Sequence, residues 1–138
     1  MSDIIRFGVS LEEGLLSRFD ELVESKGYPS RSEAIRDLIR DLLVREEWES
    51  SGPVAGAVTI VYEHHRRELA EELIELQHDY VDVVVSTQHV HLDHDRCLEV
   101  VVVRGKADRV RELASRLQAM RGVLHAALSC ATTGEMLR

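Results

Sequence analysis

The 138 residues hold only two cysteines, Cys97 and Cys130, too few for a disulfide framework. No run of 18 apolar residues occurs, which excludes a helical membrane span. The stretch Met1–Ser10 lacks the apolar core of a secretory signal, so the chain reads as cytoplasmic. A basic excess is missing as well: 17 Lys and Arg face 25 Asp and Glu, a net charge of −8. Residues 1–50 are net −5 and residues 51–138 net −3, so neither half shows the basic surplus usual in a DNA binder. The motifs G-x-S-x-G and H-E-x-x-H and a Gly-rich phosphate loop are also absent, which argues against an enzyme and against a small-molecule substrate. What the chain does have is 44% hydrophobic and 30% charged residues, enough for buried cores. It also has seven histidines, four of them between His78 and His94.

The clearest boundary is Glu49-Ser50-Ser51-Gly52-Pro53, a polar stretch ending in Gly-Pro. It divides the chain into a segment 1–50, a linker 51–57 and a segment 58–138. In the first segment, Ile5, Phe7, Val9 and Leu11 alternate along a strand, with Arg6, Gly8 and Ser10 on its other face. A helix from about Glu12 carries Leu15, Leu16, Phe19, Leu22 and Val23 at helical spacing and stops at Lys26-Gly27-Tyr28-Pro29. Ser30-Arg31-Ser32-Glu33 is a capping-box pattern that opens a second helix through Ile35, Leu38, Ile39 and Leu42 to near Trp48. So small a unit leaves two apolar stripes and a strand edge uncovered, and pairing with a second copy would cover all three. This order resembles the ribbon-helix-helix DNA-binding module, and Arg31 to Asp37 is similar to its second-helix signature. The resemblance implies an antiparallel ribbon that enters the major groove.

The second segment reads as βαββαβ. Val58, Ile60 and Tyr62 alternate in a strand, and Leu69, Leu73, Leu76 and Tyr80 form a helical stripe. Two β-rich runs, Val81–Leu92 and Cys97–Val103, flank the turn Asp93-His94-Asp95-Arg96. Val110, Leu113, Ala114 and Leu117 mark another helix, and a last strand runs from Val123 to about Cys130. The fold class is therefore α+β: a βαα unit followed by a ferredoxin-like domain that is similar to regulatory domains of the ACT type.

The string His89-Val90-His91-Leu92-Asp93-His94-Asp95-Arg96-Cys97 carries the chemistry. His89 and His91 lie two apart on a strand, so their rings share a face. A hairpin centred on Asp93 sets Cys97 opposite His89, with Cβ atoms about 5 Å apart. Two imidazoles and a thiolate at that spacing suit Zn(II), Cu(II), Ni(II) or Co(II), and spacing alone leaves the ion open. His64, His65 and His94 are weaker candidates for metal sites. Cys130 reads as a buried small hydrophobe, and His125 as structural or exposed.

Together with Gly27-Tyr28, Arg31 to Asp37, Tyr62-Glu63-His64 and Gln77-His78, this string resembles the NikR family of nickel-responsive transcriptional regulators over nearly the whole chain. The resemblance implies Ni(II) held by His89, His91 and Cys97 of one subunit and by His78 of a neighbour, within a homotetramer built as a dimer of dimers. It implies that Gln77 and Glu99 support these ligands by hydrogen bonds. It implies a K+ ion at Glu33 and Asp37 between the domains when the protein sits on DNA. The partner implied is double-stranded operator DNA. Arg6 and Ser10 can reach base edges, and Gly8 departs from the polar residue many members carry there. The amides behind Ser30 and Arg31 can hold a phosphate, and by resemblance Arg66 and Arg67 meet the DNA backbone once nickel orders the helix between His64 and His78. The expected outcome is nickel-dependent repression of nickel-uptake genes. The alternatives are a regulator responsive to copper, zinc or cobalt, and a metal-buffering protein.

Overall fold

The computed structural model describes residues 3–50 and 52–138. Two helices come first, α1 (Glu13–Ser25) and α2 (Arg31–Glu49). They are followed by β1 (Pro53–Glu63), α3 (Arg67–Asp79), β2 (Val84–His91), β3 (Arg96–Lys106), α4 (Ala107–Ala119) and β4 (Val123–Cys130), then a 3-10 turn at Glu135–Leu137. The chain divides into two compact units, and the division falls inside α2. The first unit runs to Leu43 and takes in residues 136–138; the second covers Val44–Glu135. None of the helices described is long and apolar enough to cross a membrane.

In the first unit α1 ends where Gly27 adopts φ +74°, a left-handed conformation that favours glycine. The Ser30 hydroxyl accepts from the Glu33 amide at 3.2 Å, the expected cap of α2. Glu33 does not reach back to complete the box; its carboxylate pairs with Arg36.

The strand expected over Ile4–Leu11 does not form within the chain: residues 3–12 carry no regular structure. A strand exists by exchanging N–H and C=O bonds with a neighbour, and the described residues of one chain supply none. Ile5, Phe7 and Val9 are accordingly 84%, 70% and 60% exposed.

The second unit is a four-stranded antiparallel sheet in the order β2-β3-β1-β4. That order is the ferredoxin-like arrangement the sequence predicts. On β1, Val54, Val58, Ile60 and Tyr62 are buried while their alternates are only partly covered. Cys97, Glu99, Val101 and Val103 do the same on β3. Leu69, Leu73 and Leu76 of α3, with Val110, Leu113 and Leu117 of α4, join these side chains in one core.

Three features differ from expectation. β1 begins at Pro53, so most of the presumed linker 51–57 is strand: Val54 to Ala57 pair with Gly105 to Val102. Proline is tolerated there because the first residue of a strand can do without an N–H. Gly56 sits where a Cβ would lie 2.5 Å from the Ser129 carbonyl oxygen and 3.2 Å from the Trp48 ring, so this strand approach requires glycine. β2 begins only at Val84, because the Val83 and Val84 amides both bond to the Tyr80 carbonyl and prolong the turn after α3. Finally, Cys130 is exposed rather than buried, since it ends the edge strand β4.

Candidate metal centre

The β2–β3 hairpin turns on Asp93. Its Oδ1 accepts from the amides of Asp95 (3.0 Å) and Arg96 (2.8 Å), and its Oδ2 meets the Arg96 guanidinium. The Arg96 contact foremost, then the two amides, holds the Asp93 carboxyl down to about 2. This turn places His91 opposite Cys97 and His89 opposite Glu99. The register is therefore two residues off the expected pairing of His89 with Cys97, which keeps the same side chains on the same face. The turn is centred on His94 because Leu92 and Asp93 both donate to the Arg96 carbonyl.

The convergence survives the shift. His89 and Cys97 become diagonal neighbours on one face, still within reach of each other. Cys97 Sγ lies 3.4 Å from His91 Nδ1. It also lies 3.3 Å from Nδ1 of His64, which follows the end of β1. One donor atom from each of His64, His89, His91 and Cys97 lies within 4.8 Å of every other. Cys97 is fully buried and the three histidines are exposed, so the thiol forms the floor of the cluster. Burial foremost, then the carboxylates of Glu99 and Asp93, raises the Cys97 pKa. In the metal-free protein this side chain is a thiol, and an arriving cation must displace its proton.

Behind the ligands runs a continuous hydrogen-bonded chain. Thr87 Oγ1 donates to Gln77 Oε1 (2.6 Å), and Gln77 Nε2 donates to Glu99 Oε1 (2.7 Å). The Tyr62 hydroxyl donates to Glu99 Oε2 (3.1 Å) and lies 3.2 Å from His89 Nδ1. Glu99 is the only buried charged residue among those described. Its carboxylate accepts only, so the tyrosine proton points at Glu99 and the tyrosine oxygen accepts from His89 Nδ1–H. His89 is left with Nε2 free for a metal, whereas His91 and His64 present Nδ1. Gln77 and Glu99 thus connect to His89 through the Tyr62 hydroxyl. The alternation with Val58 and Ile60 marks Tyr62 only as core; its hydroxyl gives no sequence signal.

Substituting Glu99→Gln tests this relay. An amide NH2 in place of Oε2 turns the tyrosine proton toward His89 and forces the Nε2–H tautomer. Divalent-ion affinity measured by competition with a chromogenic chelator should fall about 10- to 100-fold while the melting temperature of the metal-free protein changes little.

The remaining sequence candidates lie elsewhere. His78 sits exposed in the last turn of α3 and is not among the clustered donors. Its neighbour Gln77 faces Glu99, and adjacent helical residues point about 100° apart, which turns His78 away from its own chain's cluster. His65, His94 and Asp95 form a separate exposed group, with His65 Nε2 2.7 Å from Asp95 Oδ1. Arg6, Gly8 and Ser10 are exposed in the irregular stretch before α1. Ser30 caps α2, and Arg31 forms a two-pronged pair with Asp20 at 2.7 and 2.8 Å. Asp37 accepts from the Tyr28 hydroxyl. Arg66 precedes α3 beside Glu63, and Arg67 opens that helix.

Known proteins resemble this chain over both of its units. The family model described as the NikR C terminal nickel binding domain matches residues 55–131, and the ribbon-helix-helix, copG family model matches residues 5–46. A protein of Thermococcus onnurineus named as a nickel-responsive regulator is 56% identical, over 97% of this chain and 98% of its own. One of the same name from Syntrophus aciditrophicus is 50% identical over 99% of both chains. Among solved structures, an uncharacterised protein of Thermotoga maritima is similar in fold, with a TM-score of 0.53 at 17% identity, over 59% of this chain and all of its own. With a ribbon-helix-helix match before a nickel-binding-domain match, and half or more of all residues shared with full-length relatives, the chain belongs to the NikR family.

Proposed function

We propose that this protein is a nickel-responsive transcriptional regulator, cytoplasmic and without enzymatic activity, which represses nickel-uptake genes when Ni(II) is bound. The observation that carries the reading is the convergence of His89, His91 and Cys97 on one sheet face, with Tyr62 and Glu99 fixing the ring of His89. Soft thiolate with imidazole suits a late divalent ion. His78 of the partner subunit supplies the fourth donor in this reading, which fits its exposure and its distance in orientation from its own cluster. Exposed Ile74, Val81 and Val85 near the end of α3 and the start of β2 provide apolar area for that subunit contact in a homotetramer. Ni(II), when bound, ties the end of α3 in one subunit to the β2–β3 hairpin of another.

Residues up to about Ser50 bind DNA and those from Pro53 bind the metal. Two copies of residues 4–11 pair as the ribbon, which covers the apolar residues that one chain leaves exposed. Arg6 and Ser10 then read bases, Gly8 lets the ribbon backbone approach, and the α2 amides behind Ser30 and Arg31 hold phosphate. Arg31 trades Asp20 for phosphate in that step, and Arg66 and Arg67 add backbone contacts once α3 is held. A potassium ion at Glu33 and Asp37 belongs to the DNA-bound state, because Arg36 and Tyr28 hold those carboxylates in the free chain. The net charge of −8 weakens non-specific phosphate binding, so metal-free protein should bind DNA poorly.

A mobility-shift titration against the promoter of a neighbouring nickel transporter tests this. Retardation should require Ni(II) and vanish in His89→Ala; equal retardation with nickel, without it and in the variant would overturn the reading. The raised thiol pKa fixes the direction of the pH effect. Below the pKa of Cys97 each bound ion releases its proton, so affinity should rise about tenfold per pH unit from neutrality upward. Proton release during calorimetry in two buffers of different ionisation heat reads the same quantity.

A further inference from the structure

The end of α3, which carries His78, is gripped from α4 by one side chain, Arg109. Its Nη2 donates to the carbonyl of Asp79, the last residue of the helix, at 2.8 Å. Its Nε and Nη2 meet the two oxygens of the Asp82 carboxylate at 3.1 and 3.3 Å, a forked contact with the turn that follows. That contact holds the Asp82 carboxyl below its ordinary range, so the pair is ionised at neutral pH. The guanidinium also stands 3.9 Å from the centroid of the Tyr80 ring. Tyr80 is buried, and its carbonyl accepts from the amides of Val83 and Val84. One arginine thus holds residues 79, 80 and 82 just beyond His78. The last carbonyls of a helix have no partner within it and favour a cation. In α3 the only basic residue of the last turn is His78 itself, so α4 supplies that cation. On the other side of His78, Gln77 is held by Glu99 and Thr87. His78 is therefore an exposed ring on a backbone fixed at both neighbours.

We propose that Arg109 is the positioning residue for the donor this chain supplies to its neighbour: by clamping residues 79–82 to α4, it fixes the backbone from which His78 reaches the ion of another subunit. This assignment rests on the reading of His78 as the ligand shared between subunits. Arg109 itself hydrogen-bonds none of the clustered donors; its partners are Asp79, Asp82 and Glu112. A donor that arrives from another subunit is not oriented by the three donors it joins. Freedom left at the end of α3 is lost when the ion is bound, which weakens the ion's hold, and a clamp removes that freedom beforehand. Both members of the Arg109–Asp82 pair are partly exposed, so the pair adds little to folding stability. Lysine is no equivalent, because a point charge cannot serve the carbonyl, the carboxylate and the ring face together. Arg116 provides the internal comparison. It lies 5.6 Å from the same ring and donates to the Tyr80 hydroxyl at 3.3 Å, but its hydrogen bond stops at Tyr80.

Ni(II) affinity of the full-length protein, by chelator competition, and the absorption spectrum of the nickel form test this. The wild type is compared with Arg109→Ala, Arg109→Lys, Arg116→Ala, His78→Ala and the double variant Arg109→Ala/His78→Ala. Both Arg109 variants should lose about tenfold or more in nickel affinity, and their spectra should move toward that of His78→Ala. Arg116→Ala should match the wild type. In the double variant the Arg109 change should add nothing to the loss from His78→Ala, because a residue that acts through His78 has no effect once that ring is gone. Melting of the metal-free variants reads folding separately, and Arg109→Lys, which keeps the charge and the stem, carries the test if alanine unfolds the chain. Unchanged nickel affinity in the Arg109 variants, or losses that simply add in the double variant, would overturn the proposal. An equal loss in Arg116→Ala would do the same, since it would assign the effect to the packing of Tyr80. Failure of the parent reading looks different: His78→Ala alone would then bind nickel as the wild type does, and Arg109 would have no donor to position.

Discussion

Replacing Cys97 with alanine should remove nickel-dependent DNA retardation altogether and weaken nickel binding by at least about 100-fold. Cys97 contributes the one thiolate and the one fully buried donor, and His64 and His91 are both oriented against it. Without sulfur the surviving imidazoles are exposed, borderline ligands that hold many divalent ions weakly and none selectively. The fold should not suffer, because alanine removes only one small buried atom from a position at the end of the core. Nickel affinity by chelator competition and the melting curve of the metal-free variant separate the two effects. Serine is the less informative substitute, since it leaves a buried hydroxyl in the same cluster.

A second large effect concerns the frame that holds the metal unit. Trp48 should cost about 3–5 kcal/mol when replaced by alanine. Only 3% of it is exposed, and its Nε1–H donates to the Ala131 carbonyl at 2.8 Å, just beyond β4. Gly56 lacks a side chain where the ring lies, and the Arg111 guanidinium stands 5.5 Å above the ring. Truncation leaves a cavity and an unanswered carbonyl together. For a unit of this size the melting temperature should drop by roughly 15 °C or more. Trp48→Phe keeps a six-membered ring and loses the N–H with the rest of the five-membered ring, so it should fall by about half as much. Equal losses in the two variants would assign the effect to the hydrogen bond rather than to the buried ring.

These two residues show what could be read from the chain and what could not. The ferredoxin-like order and the placement of β4 followed from alternation and helical spacing, because one face of each element is buried. The start of β1 at Pro53 is hard to read because Val54, Gly56 and Val58 alternate with small residues, and alanine and glycine weaken the apolar signal of a strand start. The ribbon strand shows the opposite case. Its alternation is plain in Ile5, Phe7 and Val9, yet a strand cannot form without the neighbour that one chain lacks. At the site, His89, His91 and Cys97 were legible from two-residue spacing around a turn. The register was not, since it depends on whether the turn closes around Asp93 or His94, and that is settled by the Asp93 carboxylate capping two amides. His64 was the least visible donor. It comes from sequence far from the hairpin, and only the pairing of β1 with β3 brings it beside Cys97.

In the proposed regulator one ordered state joins metal and DNA, and binding free energies around such a cycle must balance. The most direct measurement is therefore nickel affinity, determined with and without a saturating operator fragment, beside operator affinity determined with and without nickel. Operator DNA should tighten nickel binding by the same large factor by which nickel tightens operator binding. Nickel affinity unchanged by DNA, in a protein whose His89, His91 and Cys97 are intact, would contradict it.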